Sequence, residues 1–273
     1  MNRHGLVTKP LPQQETIMKL NARSSLRNRS RVQSVLSAAL ASAYLLVLPS
    51  SVFSAEPEPG FKSLFNGKDL TGWEGNSDLW SVKDGAITGV TKADPKLTHN
   101  TFLVYTGGNV DDFELRLSYR IVDGNSGIQY RSKVIEKGKF GPIVGGYQAD
   151  FEAGTTYSGI LYEERARGIL AQRGQKTVIK DDPANPNRHK VEVVGSLGES
   201  KDIQAKIKKE DWNDYVVIAK GNHLQHFING MQTIDVVDEQ STKAAKEGIL
   251  ALQIHVGPPM TVQFRSIRIK SLK

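Results

Sequence analysis

The sequence predicts an all-β sandwich, and three observations carry that reading. From Phe61 onward, short apolar-rich runs alternate with Gly, Asn, Asp and Pro clusters at the spacing of strands and turns. Phe113, Leu115, Leu117, Tyr119 and Ile121 alternate with Glu114, Arg116, Ser118 and Arg120, which gives one core face and one wet face. The pairs Asp84-Gly85 and Asn229-Gly230 accept the positive φ of a type I′ hairpin turn.

In chain order, the candidate strands are 61–65, 79–83, 86–90, 101–105, 113–122, 127–131, 146–151, 160–162, 169–171, 177–180, 215–220, 223–228, 233–237, 249–254 and 261–270. In 127–131, Ile128 and Tyr130 share one face, and Gln129 and Arg131 share the other. In 146–151, Tyr147, Ala149 and Phe151 oppose Gln148 and Asp150, with Glu152 following on the polar side. Leu250, Leu252 and Ile254 share a face, and Gln253 and His255 share its opposite. In the last strand, Val262 and Phe264 fall out of phase with Ile267 and Ile269, which predicts a β-bulge near Arg265-Ser266. Residues 181–211 are polar and Pro/Asn-rich, then helix-permissive or irregular.

The first part of the chain has a different character. Basic residues Lys19, Arg23, Arg27, Arg29 and Arg31 precede a mostly apolar run of 14 residues, 35–48, and a small-residue exit, PSSVFSAE. This is the layout of a secretory signal peptide, cut after Ser54 or Ala55. The run is short for a membrane span, so the expectation is export to the periplasm or medium of a bacterium with no stable membrane anchor after cleavage. Met18 offers an alternative start to Met1. The expected organisation is therefore a leader over 1–55, a linker over 56–60 and one sandwich domain over 61–273.

Residues 1–55 hold seven of the 36 basic residues and one of the 29 acidic ones, and so account for six of the seven net positive charges. The remainder is close to neutral, and the basic pI is no argument for a nucleic-acid partner. The absence of cysteine excludes disulfides, thiolate metal sites and a cysteine nucleophile. No Gly-rich phosphate loop, zinc helix or serine elbow occurs.

The polar face of 127–131 and 146–152 gathers an arginine, two amides and two carboxylates, a surface suited to holding a sugar. A plain wetted sheet face has the same composition. Asp150 and Glu152 lie roughly 6.5–7 Å apart along a strand, which suits a carboxylate pair, a divalent oxygen site or a solvated strand. His255, at a strand end before Val256-Gly257-Pro258-Pro259, has the chemistry of a general base, a metal ligand or a loop histidine. Tyr157, Tyr162 and Trp212 are candidates for stacking on a ring, whereas Trp73 and Trp80 read as core. The cluster Glu163, Glu164, Arg165 and Arg167 reads as a charged loop.

Seven segments fall in order and in register with one family: SLFNGKDLTGW from Ser63, WSVKDGAITG from Trp80, FELRLSYR from Phe113, GNSGIQYRS from Gly124, GGYQADFE from Gly145, DWNDYVVIAKGNHLQHFINGMQT from Asp211 and GILALQIHVGPPMTVQFRSIRIK from Gly248. Over nearly all of 61–273 the chain resembles the 3-keto-disaccharide hydrolase family, also described as 3-keto-glucoside 1,2-lyase or 3-keto-2-hydroxy-glucal hydratase domains. The resemblance implies a concanavalin A-like jelly-roll β-sandwich of two antiparallel sheets, with sugar on the concave sheet. It implies a 3-keto disaccharide or glucoside as substrate. A C3 ketone acidifies the C2 proton, its removal expels the C1 substituent, and added water makes the net result hydrolysis. The family's strand commonly reads Gly-Tyr-Glu-x-Gln. Here Gln148 and Asp150 occupy the glutamate and glutamine positions, so the carboxylate has moved two residues along one face.

On that basis Asp150 and His255 are expected as base and acid, or with Glu152 as ligands of a divalent cation. Arg131 is expected to polarise or position an oxygen, and Asn125, Gln129, Gln148, Glu152 and Tyr162 to orient the ring. The alternative is a non-catalytic, lectin-like binding module, since the same sandwich serves both.

Overall fold

The computed structural model describes residues 58–273. The leader expected over 1–55 and its cleavage point lie outside the described residues. Among these described residues, seventeen strands and one short helix follow in order. The strands are β1 (Lys62–Ser63), β2 (Trp73–Glu74), β3 (Trp80–Lys83), β4 (Ala86–Val90), β5 (Thr101–Tyr105), β6 (Phe113–Val122), β7 (Asn125–Gly138), β8 (Gly141–Glu152) and β9 (Leu161–Glu164). Then come β10 (Gly168–Ala171), β11 (Gln175–Asp182), β12 (Asn185–Ser196), helix α1 (Ser200–Gln204), β13 (Asn213–Lys220), β14 (His223–Ile228), β15 (Met231–Asp238), β16 (Ile249–Ile254) and β17 (Thr261–Ser271).

One sheet has the order β12-β11-β15-β14-β13-β6-β17-β4-β3, with β1 added on β17; the other runs β10-β9-β8-β7-β16-β5-β2. Consecutive strands β4, β5, β6 and β7 alternate between the sheets, and the late pair β16 and β17 inserts beside β7 and β6. This is the wrapping of a jelly-roll sandwich. All ladders are antiparallel except β11 on β15, which is parallel.

The alternation of β6 explains the layering. Phe113, Leu115, Leu117, Tyr119 and Ile121 are buried, and the residues between them are half-buried. They meet Ile128, Tyr130, Tyr147, Phe151, Leu252 and Ile254 of the other sheet in one core. Both Asp-Gly and Asn-Gly turns have positive φ at both positions, as a type I′ turn requires. The register of β17 shifts between Arg265 and Arg268, with Ser266 at φ 53°, so the bulge lies where the broken phase put it.

Two departures matter. The stretch 181–211, read as polar and then helix-permissive or irregular, holds the short helix α1 but also β12, whose residues pair with β11. The charged residues of β12 conceal the period; Glu192 holds Lys180 across the pair and Lys190 two residues back on its own strand. Strand β7 is bulged between Tyr130 and Lys133, with Arg131 at φ 47°, so simple alternation fails at Arg131.

Candidate active site

The outer face of the seven-stranded sheet carries a pocket of ≈ 360 Å³. Strand β8 places Gln148, Asp150 and Glu152 on it because Tyr147, Ala149 and Phe151 are drawn into the core. The register sets Gly127 opposite Asp150, Asn125 opposite Glu152 and Tyr162 opposite Gln148. His255 follows the end of β16 and lines the same pocket, as do Asn100, Asn125, Tyr157, Tyr162 and Glu164.

Asp150 lies at the floor, 5% exposed. Asn125 Nδ2 donates to its Oδ2 at 3.0 Å and Gln148 Nε2 to its Oδ1 at 2.6 Å. Burial nevertheless pushes its carboxyl up to about 7, with Glu152 and Glu164 adding repulsion against the two donors. Beneath it a chain of side-chain hydrogen bonds fixes the donor. Ser132 Oγ donates to Gln129 Oε1 at 2.6 Å, and Gln129 Nε2 donates to Gln148 Oε1 at 2.7 Å. Gln253 Nε2 donates to the same oxygen at 2.9 Å. With its oxygen doubly occupied, the Gln148 amide can only present N–H to Asp150.

On the other side of the pocket, the His255 Nδ1 lies 2.5 Å from the Val256 carbonyl. A carbonyl only accepts, so Nδ1 carries the hydrogen and Nε2 is the nitrogen left for chemistry. Asn100 ties this corner together: its Oδ1 accepts from Val256 N–H at 2.9 Å, and its Nδ2 donates to Glu164 Oε1 at 3.2 Å. Burial raises the Glu164 carboxyl, opposed by the Asn100 donor and by His255 and Arg165. Burial also raises the Tyr162 hydroxyl, assisted by Glu164 and Asp150.

A larger cavity of ≈ 470 Å³ lies by Glu74, Asn76, Val104, Lys137, Lys139 and Pro142, but it has one exposed carboxylate and no histidine. The convergent acid–base groups belong to the pocket around Asp150.

Residues 60–270 match the 3-keto-alpha-glucoside-1,2-lyase-like domain. The chain belongs to that family. No curated protein matches it in sequence. Solved structures similar to it include a candidate glycosyl hydrolase from Parabacteroides distasonis ATCC 8503, 21% identical, covering 78% of this chain and 94% of that one at TM-score 0.48. Another is the carbohydrate binding module CBM66 from Bacillus subtilis, 15% identical, covering 75% and 98% at TM-score 0.47. A third is a Bacillus subtilis protein with a galectin-like fold, 11% identical, covering 74% and 90% at TM-score 0.48.

In this lyase-like domain the pocket brings together Asn125, Gln148, Asp150, Glu152, Tyr162 and His255 of the residues expected from sequence. It does not include Arg131. The bulge turns that guanidinium, 2% exposed, away from the site: Nε donates to Asp111 O at 2.7 Å, Nη1 to Gly221 O at 2.6 Å and Nη2 to Asp112 Oδ1 at 2.9 Å. The expectation that Arg131 polarises a substrate oxygen is corrected accordingly. Gln129 is fully buried below Gln148 and orients that amide rather than a sugar. Glu152 Oε1 accepts the backbone N–H groups of Thr156 at 2.6 Å and Tyr157 at 2.9 Å, so it shapes the rim loop.

The donor set does not fit a resident divalent cation. Both Asp150 oxygens are held by amides, Glu152 is engaged by backbone N–H groups, and among the described residues no three His, Asp or Glu side chains gather as metal ligands. The residues missed from sequence are Asn100 and Glu164. Glu164 shares a face with Tyr162 on β9, a period-2 relation that its charged surroundings obscured, while Glu163 points to the core side and binds Arg167. Nothing in the sequence around Asn100 marked it.

Proposed function

We propose that this domain cleaves glycosides already oxidised to a ketone at C3. Asp150 removes the C2 proton, the C1 substituent leaves, and water adding to the product makes the outcome net hydrolysis. The single observation that carries this reading is Asp150: a buried carboxylate, clamped by two amides, with its proton affinity raised to about 7. A carboxylate of that strength suits a proton acidified by an adjacent ketone, and its work needs no second carboxylate to stabilise an oxocarbenium ion. His255, once protonated on Nε2, donates to the ketone oxygen as negative charge develops there. Tyr157 and Tyr162 present ring faces and hydroxyls to the sugar, and Asn125 offers its remaining N–H. Membership of the 3-keto-alpha-glucoside-1,2-lyase-like family supports the same substrate class.

The test is incubation with 3-keto-trehalose, 3-keto-lactose and a 3-keto aryl glucoside, with and without EDTA, following the released C1 alcohol and the enone. Release that EDTA leaves unchanged and that Asp150→Asn abolishes is the expected result. Full activity in both Asp150→Asn and His255→Ala would sink the assignment. No turnover of any keto sugar, with measurable binding of ordinary glycans, would favour a lectin-like module.

A further inference from the structure

Elimination from a 3-keto glycoside needs three proton-handling roles: a base at C2, a donor at the C3 oxygen and an acid at the C1 leaving oxygen. Asp150 and His255 account for two. The sequence suggested Arg131 as the further polar group, and the fold removes it from the pocket. One titratable carboxyl group in the pocket then has neither a role in the reaction nor a loop to hold.

We propose that Glu164 is the acid that protonates the leaving oxygen at C1. This rests on the 3-keto reading and extends it. Glu164 lines the pocket and is 8% exposed, so its carboxyl is largely removed from water. Among the described residues its one ion pair is with Arg165, at 3.8 Å and with 48% of that side chain exposed, a loose contact rather than a buried pair, while His255 lines the same pocket. Asn100 grips Oε1 alone, by Nδ2 at 3.2 Å, and among the described residues Oε2 has no fixed partner. Glu163 provides the contrast within one dipeptide: its carboxylate is consumed by Arg167 Nε at 2.5 Å.

The proton and electron count closes without a co-reactant. The C2–H bond breaks and its proton goes to Asp150. Its electron pair forms the C1–C2 double bond as C1–O breaks, and the departing oxygen takes the proton of Glu164. Exchange with water returns Asp150 to its ionised form and Glu164 to its protonated form.

The experiment compares wild-type protein and Glu164→Gln on two 3-keto glucosides that differ only in the leaving group, 4-nitrophenol and methanol. Nitrophenolate departs without a proton, whereas methoxide needs one. General acid catalysis contributes about 10²–10⁴-fold, so the expected loss of kcat on the methyl glucoside exceeds that on the nitrophenyl glucoside by at least about 100-fold. Equal losses on both, or no loss on either, would overturn the role of Glu164. A wild-type protein inert toward both would instead overturn the 3-keto reading itself. If Glu164→Gln does not fold, Glu164→Asp, which keeps the acid but withdraws it, is read by the same contrast.

Discussion

Asn100 donates to Glu164 at 3.2 Å, although the strand that follows Asn100, β5, and the strand that carries Glu164, β9, are separated in the sheet by three others. In a flat sheet, four ladder steps span roughly 19 Å. The contact therefore measures how far twist and curvature fold the outer face of this sheet on itself, turning a surface into a pocket. Asn100 also holds Val256 N–H, next to the carbonyl that fixes the His255 tautomer. Asn100→Ala leaves the half-buried Val256 N–H without its acceptor and the buried Glu164 carboxyl without its hydrogen-bond donor, at about 1–3 kcal/mol. The expected outcome is a lower denaturation midpoint, with a larger proportional loss in kcat than in folded fraction. Unchanged kcat in the folded variant would show that the brace does not set the site.

Asp150 makes two coupled pH predictions. In its proposed role as base it must be ionised, so kcat/KM is expected to rise with pH to a midpoint near 7, where an ordinary carboxylate gives one near 4. Its folded value lies above its unfolded one, so the native state binds the extra proton between these limits. The contribution of Asp150 to stability is therefore fully present below about pH 4, is lost as pH rises toward 7, and changes no further above. The shift corresponds to roughly 4 kcal/mol. Asp150→Asn is expected to lose activity by about 10²–10⁴-fold and to gain stability relative to wild type at pH 8 compared with pH 5. Thermal melts of both proteins at the two pH values check this.

Gly127 is required by close approach rather than by its dihedrals. A Cβ there would sit 2.5 Å from Cγ and Cδ of Gln148, the side chain whose N–H clamps Asp150. Gly127→Ala has to displace that amide, at about 1–3 kcal/mol of overpacking. The expected signature is a shift in the acid limb of the pH–rate profile, because the Asp150 donor moves. A stability loss without such a shift would confine Gly127 to packing.

Much of this was legible from residues alone. Strict alternation announced β6 and β8 and put Gln148, Asp150 and Glu152 on one face, and the broken phase of β17 announced its bulge. What failed did so for local reasons. Arg131 was assigned by parity, and a bulge two residues from the polar face reverses parity with no mark in the sequence. Gln129 has the right face but the wrong depth, which only the overlying Gln148 reveals. Asn100 and Glu164 meet through sheet curvature, a property of the assembled layers that periodicity does not encode.

Arg131 gives a direct check of that correction. Its guanidinium holds the carbonyls of Asp111 and Gly221 and the carboxylate of Asp112, and so ties three chain segments together away from the pocket. Arg131→Met is expected to cost roughly 1.5–3 kcal/mol, the range for hydrogen bonds to a charged group. Urea titration measures it. KM of the folded fraction is expected to stay within about twofold; a selective collapse of kcat would return Arg131 to the chemistry.

The rim of the pocket rests on another buried arginine. Arg173, 7% exposed, donates to the carbonyls of Ser158 at 2.6 Å, Thr155 at 2.8 Å and Ser200 at 3.1 Å. Glu152 holds the N–H groups of Thr156 and Tyr157 from the other side. Between them they immobilise the loop that carries Tyr157, a half-exposed ring on the pocket rim. A preordered ring binds sugar without the entropy cost of ordering it on contact. Arg173→Lys keeps the charge but not the planar fork that spans three carbonyls, so it is expected to behave like Arg173→Ala. Both are expected to raise KM about 10-fold, equivalent to about 1.4 kcal/mol of binding, with kcat little changed. Tyr157→Ala should raise KM to the same degree, and the double variant Arg173→Ala/Tyr157→Ala no further, because the arginine acts through the ring. Additive losses in that cycle would mean that Arg173 supports the fold and not the rim.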